Sequence, residues 1–387
     1  DTRATINTDT ILNQLKISIN ENKANEIYFP DDFVSNLNDN SISSILNAIY
    51  EKKKKIIPLT VLIELTNNCN FKCPFCYIVG KSKYFKYKSF NDLKPIFDSL
   101  IKNGMLFCTL TGGECLLHPD FKKIYFYLKK NGVLVSILTN GSLLDKTIIN
   151  LFTKYKPYKI EISIYGDNDH FNTNTKQKKY SINDIKKNIL LLKNNNINII
   201  CKTPLNSITE NSFIKIMNWC HENNIPYYYS SELFNSYDGS NNIQYKLKNK
   251  ELIKLIEQEN NELLKQVNYT YGKKNLFDCK AGKYDMIITY DFNLLPCFSM
   301  KNNLFFNTSL ENGFDSAYKI YKEKINQFIG KPIKYCKGCK AFNICTECAA
   351  TALTKHNCNI CKKNNLIRKK IIGELKDEKI RNKKIRN

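Results

Sequence analysis

The chain has 387 residues, of which 42% are hydrophobic, and this is enough for two or three domains with a sizeable core. No run approaches the ~18 apolar residues of a membrane span, and no apolar signal region opens the sequence, so we expect a cytoplasmic protein without a membrane segment. The net charge of +23 would attract polyanions or acidic peptides, but the lysines are scattered, as compositional bias would also produce. Fifteen cysteines in a reducing compartment indicate metal clusters rather than disulfides.

Residues 1–57 contain one helical pattern. Asp39, Asn40 and Ser41 precede residues 42–54, in which apolar side chains recur at helical spacing. We expect an N-terminal helical segment that packs against the next domain.

Strand-like runs and helical patterns alternate across residues 58–235. This alternation implies a parallel sheet with right-handed crossovers, and it fits an α/β fold built as a partial (β/α)6, TIM-like barrel. In such folds the chemistry lies beyond the carboxyl ends of the strands. The predicted strands are residues 59–65, 106–110, 133–138, 159–164, 197–202 and 226–230, and the predicted helices are 90–102, 119–131, 145–155, 181–194 and 210–222.

Three cysteines follow the first predicted strand in the pattern Cys69-x3-Cys73-x2-Cys76. Cubane iron–sulfur clusters are held by cysteine thiolates, and three thiols leave the fourth iron open to a ligand that is not protein. Structural zinc is the alternative, but it needs four ligands and no fourth lies nearby. The stretch therefore favours a site-differentiated iron–sulfur cluster.

This motif resembles the signature of the radical S-adenosylmethionine (AdoMet) enzymes. The resemblance implies that Cys69, Cys73 and Cys76 hold a catalytic [4Fe–4S] cluster whose open iron binds AdoMet. It also implies that AdoMet is cleaved to a 5′-deoxyadenosyl radical, which takes hydrogen from a substrate. The fold that the family implies is the same partial barrel.

A second motif, Thr111-Gly112-Gly113-Glu114, follows the second predicted strand. Paired glycines let the backbone approach a ligand closely, although a tight turn is the usual reason for such a pair. By the family resemblance, Gly112, Gly113 and Glu114 bind the amino group of AdoMet.

Polar side chains at the ends of later strands are further candidates. Glu161 is expected either to contact a ligand or to lie inside the barrel, paired with a lysine. The resemblance implies AdoMet contacts for Phe75, Ser163, Lys202, Thr203 and Asn206. The histidines and the other barrel cysteines show no metal-binding spacing and are expected to be structural: His118, His170, His221, His356, Cys108, Cys115, Cys201 and Cys220.

Residues 277–361 are rich in cysteine and poor in regular periodicity, which predicts a second, loop-rich domain organised by metal. Residues 236–276 form a polar bridging region with a predicted helix at 249–265, and residues 362–387 form a basic tail. Eight thiols suit two four-cysteine clusters; two zinc sites are the alternative, although zinc ribbons usually separate their pairs by ~12–20 residues. The eight are Cys279, Cys297, Cys336, Cys339, Cys345, Cys348, Cys358 and Cys361.

The spacing of these cysteines resembles the auxiliary-cluster extension called the SPASM domain, which implies three [4Fe–4S] clusters in all. Two departures matter. The family's Cys-x3-Cys step is Cys345-x2-Cys348 here, and Phe298 follows Cys297 where sulfatase-maturing members carry an Asp base. The second departure argues against formylglycine formation. The resemblance assigns Cys279, Cys297 and Cys348 to the inner cluster, and Cys336, Cys339 and Cys345, with Cys358 or Cys361, to the outer one.

With three assigned ligands, the inner cluster either has an open iron for a substrate thiolate or is closed by a spare cysteine. We therefore expect a peptide maturase that acts on a ribosomally made precursor with a leader sequence, residues 1–57 being a possible remnant of a leader-recognition domain. A thioether crosslink is the first expectation; a carbon–carbon crosslink or epimerisation is second. Flavodoxin or ferredoxin would donate the electron.

Two alternatives stay open at this point. One is an anaerobic sulfatase-maturing enzyme or another SPASM oxidoreductase. The other is a basic zinc protein that binds nucleic acid. The strand–helix repeat and the Gly-Gly-Glu motif do not suit the second, so no nucleic-acid partner is expected.

Overall fold

The structure is a computed structural model that describes residues 56–78, 86–230, 233–247, 277, 279 and 281–330. The helices predicted at 42–54 and 249–265, the basic tail and six of the predicted metal ligands lie outside the described residues. Those six are Cys336, Cys339, Cys345, Cys348, Cys358 and Cys361.

Six parallel strands alternate with helices over residues 60–230, as the sequence predicts. Each observed strand lies within two residues of its predicted start and end, and the five predicted helices are all present. The strands are β1 (Thr60–Glu64), β2 (Phe107–Thr111), β3 (Leu134–Thr139), β4 (Lys159–Ser163), β5 (Ile199–Pro204) and β6 (Tyr227–Ser230). The helices are α1 (Phe90–Lys102), α2 (Phe121–Lys130), α3 (Lys146–Lys154), α4 (Phe171–Thr175), α5 (Ile182–Asn194) and α6 (Glu210–Glu222). Only the short helix α4 was not predicted.

The sheet has the order β6-β5-β4-β3-β2-β1 and continues beyond β1 into three more strands. The register pairs Glu64 with Thr111 and Ser163 with Lys202, so the carboxyl ends of the strands meet at one edge of the sheet. This is the predicted partial barrel, and it brings the polar residues that follow the strands to one face.

Local sequence explains where the helices begin and which face they bury. Ser89 and Asp92 form a capping box at the start of α1, and Ser181 and Asp184 form one at the start of α5. The apolar residues of each helix recur on one side and join a core that is continuous with the buried strands.

The part of the chain after residue 281 has more regular structure than the sequence led us to expect. Strand β7 (Asp285–Ile288) pairs in parallel with β1, and β8 (Asn293–Leu295) and β9 (Thr308–Ser309) extend the sheet in antiparallel fashion. Helix α7 (Phe314–Asn326) packs on these strands. The strands are too short to show a periodicity in the sequence. They are stabilised by pairing within the sheet, which begins with the pairing of β7 and the distant strand β1. Among the described helices, none has the length and apolar character that a bilayer crossing requires.

Candidate active site

The cysteine motif lies in the loop that follows β1, at the carboxyl edge of the sheet. The amide of Lys72 donates to the carbonyl oxygen of Thr175 at 2.8 Å. Phe71 is only 2% exposed and packs edge-on against Phe171, with ring centroids 5.7 Å apart. Helix α4, which carries Phe171 and Thr175, therefore fixes the middle of this loop.

The glycine pair holds the start of the same loop. The amide of Gly113 donates to Thr66 O at 2.7 Å, and the amide of Glu114 donates to Asn68 O at 2.8 Å. A Cβ atom at Gly112, whose φ is +143°, would lie 2.4 Å from Thr66 O, and one at Gly113 would lie 2.3 Å from Asn68 O. Both positions require glycine because the close approach is to the backbone of the cysteine loop itself.

The three thiols of Cys69, Cys73 and Cys76 line one cavity. A structural zinc ion is usually held by four protein ligands, whereas three thiolates are the number that leaves one iron of a cubane cluster open. The donor set therefore fits a cubane cluster better than a structural zinc ion.

The electrostatics of the thiols also fit a bound cationic group. Burial raises the pKa of Cys69, and the charges of Glu114 and Cys76 raise it further. Burial and the other two thiols raise the pKa of Cys73. In the described part of the chain, the groups that shift these two pKa values include no cation. Because thiolates are the ligand form, a metal cluster would supply the missing positive charge.

Glu114 is buried and is not among the residues that line the cavity, so its predicted contact with AdoMet stays a prediction. Its buried carboxylate accepts hydrogen bonds from the amide of Asn140 at 2.8 Å, the hydroxyl of Thr139 at 2.9 Å and the amide of Leu116 at 3.1 Å. Asn140 in turn donates to Asn70 Oδ1 at 2.9 Å. Glu114 therefore fixes the end of β3 against the cysteine loop.

The cavity has a volume of about 310 Å³, within the range of small-molecule sites. The glycine pair and the strand ends of β3 to β5 form one part of its wall, and aromatic side chains form much of the rest. The predicted site residues that line it are Cys69, Cys73, Cys76, Phe75, Gly112, Gly113, Ser163, Lys202 and Thr203.

Lys202 is the one charged side chain among the described residues that line this cavity. Its ammonium group lies 2.9 Å from Glu161 Oε2, and Lys159 lies 2.9 Å from Glu161 Oε1. Burial opposes ionisation of Glu161, but the two lysines outweigh it and lower its pKa to about 2. The expected pairing of Glu161 with a lysine is thus observed, and because Lys159 and Lys202 share one carboxylate, the three groups keep a net positive charge beside the cavity.

Asn206 does not reach the cavity. It is fully buried, its amide donates to Pro204 O at 2.9 Å, and its carbonyl oxygen accepts from the amide of Ile208 at 2.9 Å. The residue stabilises the turn after β5, and the AdoMet contact predicted for Asn206 stays a prediction. The cysteines expected in the core are fully buried: Cys108, Cys115, Cys201 and Cys220.

Comparison with known proteins identifies the barrel. Residues 63–226 match the family model described as the radical SAM superfamily. These residues form a radical SAM domain. The three thiols and the glycine pair lie within it.

Two curated relatives resemble part of this chain. The antilisterial bacteriocin subtilosin biosynthesis protein AlbA of Bacillus subtilis (strain 168) is 29% identical over 142 residues, which is 36% of this chain and 32% of AlbA. The sporulation killing factor maturation protein SkfB of the same strain is 28% identical over 167 residues, which is 42% of this chain and 40% of SkfB. The matches therefore span between a third and two fifths of the relatives' length.

Solved structures share the fold over most of the chain. SuiB of Streptococcus suis, bound to its precursor peptide SuiA, aligns with a TM-score of 0.62 and 18% identity, covering 90% of this chain and 87% of SuiB. Native anSMEcpe with bound AdoMet aligns with a TM-score of 0.61 and 17% identity, covering 80% of this chain and 96% of that one.

Two of the predicted auxiliary ligands are described, and both lie outside the radical SAM domain. Cys279 precedes β7, and Cys297 follows β8. Phe298, the neighbour of Cys297, packs against Tyr77 at 5.0 Å and Phe234 at 6.3 Å between ring centroids, and both of these line the cavity. The aromatic side chain of Phe298 therefore occupies the position at which the sulfatase-maturing members of the family carry an Asp.

Sequence reasoning missed Glu64, which ends β1 inside the radical SAM domain. The side chain is 2% exposed, and its Oε1 accepts from the hydroxyl of Tyr237 at 2.7 Å. Burial raises its pKa to about 7, although Tyr237, Tyr290 and Lys301 act in the opposite direction. One signal was available: a carboxylate in an otherwise apolar strand is rarely buried without a partner.

Proposed function

We propose that this protein is a radical SAM enzyme that modifies a precursor peptide. The observation that carries the proposal is the cavity at the carboxyl edge of the barrel, which three thiols and a glycine pair line together. Cys69, Cys73 and Cys76 would hold the cluster, and the backbone of Gly112 and Gly113 would face the methionine end of AdoMet.

When bound, the cluster and AdoMet supply a 5′-deoxyadenosyl radical that removes a hydrogen atom from the substrate. The chain's own residues orient and shield this chemistry. The amide of Phe71 donates to Cys69 Sγ at 3.4 Å, and the side-chain amide of Asn140 donates to it at 3.9 Å. Such hydrogen bonds to sulfur tune a cluster's reduction potential. The aromatic wall gives the cavity an apolar lining.

The relatives support a peptide as substrate. AlbA is named for subtilosin biosynthesis and SkfB for maturation of a killing factor, and SuiB was solved with a precursor peptide. We propose that a thioether crosslink is formed, with a carbon–carbon crosslink or epimerisation as the second possibility. The partners are a precursor with a leader sequence and an electron donor such as flavodoxin or ferredoxin, in the cytoplasm.

Two auxiliary [4Fe–4S] clusters complete the proposal, in a SPASM-type domain that begins near residue 277. Cys279 and Cys297 would serve the inner cluster. An open iron there would suit a substrate thiolate, since thiols deprotonate on metals.

A sulfatase-maturing activity is the second candidate, supported by the fold likeness to anSMEcpe. Two observations oppose it: Phe298 occupies the position after Cys297, and no carboxylate is among the described residues that line the cavity. Zinc is disfavoured at Cys69, Cys73 and Cys76, because structural zinc is usually held by four protein ligands and this trio supplies three.

The proposal is tested by anaerobic reconstitution with iron and sulfide, followed by reduction with dithionite in the presence of AdoMet. We expect the wild-type protein to form 5′-deoxyadenosine and a Cys73→Ala variant to form none above background. Cys108→Ala is the matched control, because Cys108 is buried in β2 away from the cavity. If wild type and Cys73→Ala form equal amounts, the proposed function is wrong.

A further inference from the structure

The described segment 233–247 has no role in the function proposed so far, yet it contacts the cysteine loop at three points. The amide of Tyr237 donates to Tyr77 O at 2.8 Å, and the hydroxyl of Ser236 donates to the same oxygen at 3.3 Å. The side-chain amide of Asn242 donates to Cys76 O at 2.9 Å. These bonds hold the carbonyl groups of the third cysteine and of its neighbour.

The same segment contributes to the wall of the cavity. Leu233 and Phe234 line it together with Tyr77. A displacement of the segment would therefore move the loop that carries the third thiol and would open the apolar wall at the same time.

Tyr237 anchors the segment to the rest of the molecule through Glu64. Its hydroxyl donates to Glu64 Oε1 at 2.7 Å, and its ring contacts those of Tyr77 and Tyr290 at 5.5 and 6.1 Å between centroids. The ammonium group of Lys301 lies 5.1 Å from the centre of the Tyr237 ring. One tyrosine thus joins β1, the cysteine loop and the strands beyond residue 285.

We propose that Glu64 and Tyr237 are positioning residues for AdoMet cleavage, which hold segment 233–247 on the carbonyl groups of Cys76 and Tyr77. The catalytic part of this inference rests on the proposed function. The structural part is that the carboxyl–phenol pair holds the segment in place, and this part does not rest on the proposed function.

The stability of the contact between Tyr237 and Glu64 depends on pH, because Glu64 is buried. An opening that exposes Glu64 to water returns its carboxyl group to an ordinary pKa, so opening becomes easier as pH rises from about 4.5 to about 7 and then levels off. The groups that face Glu64 are Tyr237 from the segment, Tyr290 and Asp291 from the turn after β7, Lys301, and Tyr77 from the cysteine loop. Asp291 is paired with Lys301 at 2.6 Å, and Thr111, opposite Glu64 on β2, is uncharged.

Hydrogen exchange on the protein without AdoMet tests the structural part. After correction for intrinsic exchange, we expect protection of segment 233–247 in wild type to decrease from pH 5.5 to pH 7.5. In Glu64→Gln, which keeps an acceptor for Tyr237 but cannot ionise, protection should stay constant. In Tyr237→Phe, opening should increase about fivefold at pH 5.5, the effect of one hydrogen bond. Equal pH dependence in wild type and Glu64→Gln would overturn the inference.

Steady-state kinetics of AdoMet cleavage, resolved into KM and kcat, test the catalytic part. We expect Tyr237→Phe to raise the KM for AdoMet and Glu64→Gln to flatten the pH profile between 6 and 8. Tyr318→Phe is the matched control, because its hydroxyl donates to Ile56 O at 2.6 Å, away from the cavity, and it should match wild type. Unchanged KM and pH profile in both variants would overturn the catalytic part of the inference while leaving the proposed function intact. Absence of product from wild type would overturn the proposed function and the catalytic part, whereas the structural part would still be decided by hydrogen exchange.

Discussion

Glu64 is a buried carboxyl group at the end of β1, and its ionisation is linked to folding. Its pKa is about 7 in the folded protein and about 4.5 in the unfolded chain, so the folded state binds more protons between these values. The contribution of Glu64 to the free energy of unfolding is therefore greatest below pH 4.5, and it decreases as pH rises toward 7.

We predict that wild type loses about 2 kcal/mol of unfolding free energy relative to Glu64→Gln when pH rises from 5.5 to 7.5. Denaturant titrations of both proteins at the two pH values measure this difference. Glu161→Gln is the matched control: the pKa of Glu161 is about 2, so that carboxylate stays ionised throughout and its difference from wild type should not depend on pH. A constant difference for Glu64→Gln as well would show that Glu64 is not buried in this way.

Gly113 lies against the backbone of the cysteine loop. A Cβ atom there would lie 2.3 Å from Asn68 O, and the obstructing atom belongs to backbone that cannot rotate away. We predict that Gly113→Ala destabilises the protein by about 1–3 kcal/mol and lowers iron incorporation at the first cluster.

Gly104→Ala provides the comparison for Gly113→Ala. Gly104 has a φ of +107° but open space around it, so its substitution tests backbone strain without a clash. We expect a cost of roughly 1 kcal/mol and normal iron content. Normal iron content in Gly113→Ala would contradict the assigned contact with the cysteine loop.

At the scale of elements, the sequence predicted β1 to β6 and five helices because their patterns are local. Capping residues, apolar periodicity and strand-ending polar residues all lie within a few positions of one another. It did not predict α4 or β7 to β9, since these short elements depend on distant partners: α4 on Phe71, and β7 on β1.

The same difference between local patterns and distant partners explains which parts of the candidate site could be predicted from the sequence. The three cysteines and the glycine pair are recognisable because their spacing is local. The hydrogen bonds of Glu114 could not be read from the motif, because its partners Thr139 and Asn140 lie at the end of a different strand. Glu64 was missed because its partner Tyr237 lies 173 positions away.

The capping box at α5 gives a prediction at this scale. The hydroxyl of Ser181 accepts from the amide of Asp184 at 3.1 Å. We predict that Ser181→Ala lowers the free energy of unfolding by about 1 kcal/mol, whereas Ser181→Thr retains most of the stability. Thermal or denaturant unfolding measures both, and an equal loss in the two variants would show that the cap does not stabilise the helix. AdoMet cleavage should be unaffected, since the cap lies away from the cavity.

At the scale of the whole molecule, one sheet unites the radical SAM domain with the residues that follow 281. Strand β1 has β2 on one side and β7 on the other, so the strand that leads into the cysteine loop also supports the region that carries Cys297. Cys69, Cys73 and Cys297 all pack against the same hydrophobic core.

The measurement that tests the account most directly is the electron paramagnetic resonance spectrum of the anaerobically reduced protein with and without AdoMet. We predict an iron–sulfur signal that changes on addition of AdoMet, because one iron of the cluster proposed at Cys69, Cys73 and Cys76 would lack a protein ligand. The AdoMet-dependent change should be absent in Cys73→Ala and present in Cys108→Ala. A spectrum that AdoMet leaves unchanged in the iron-loaded wild-type protein would contradict the account.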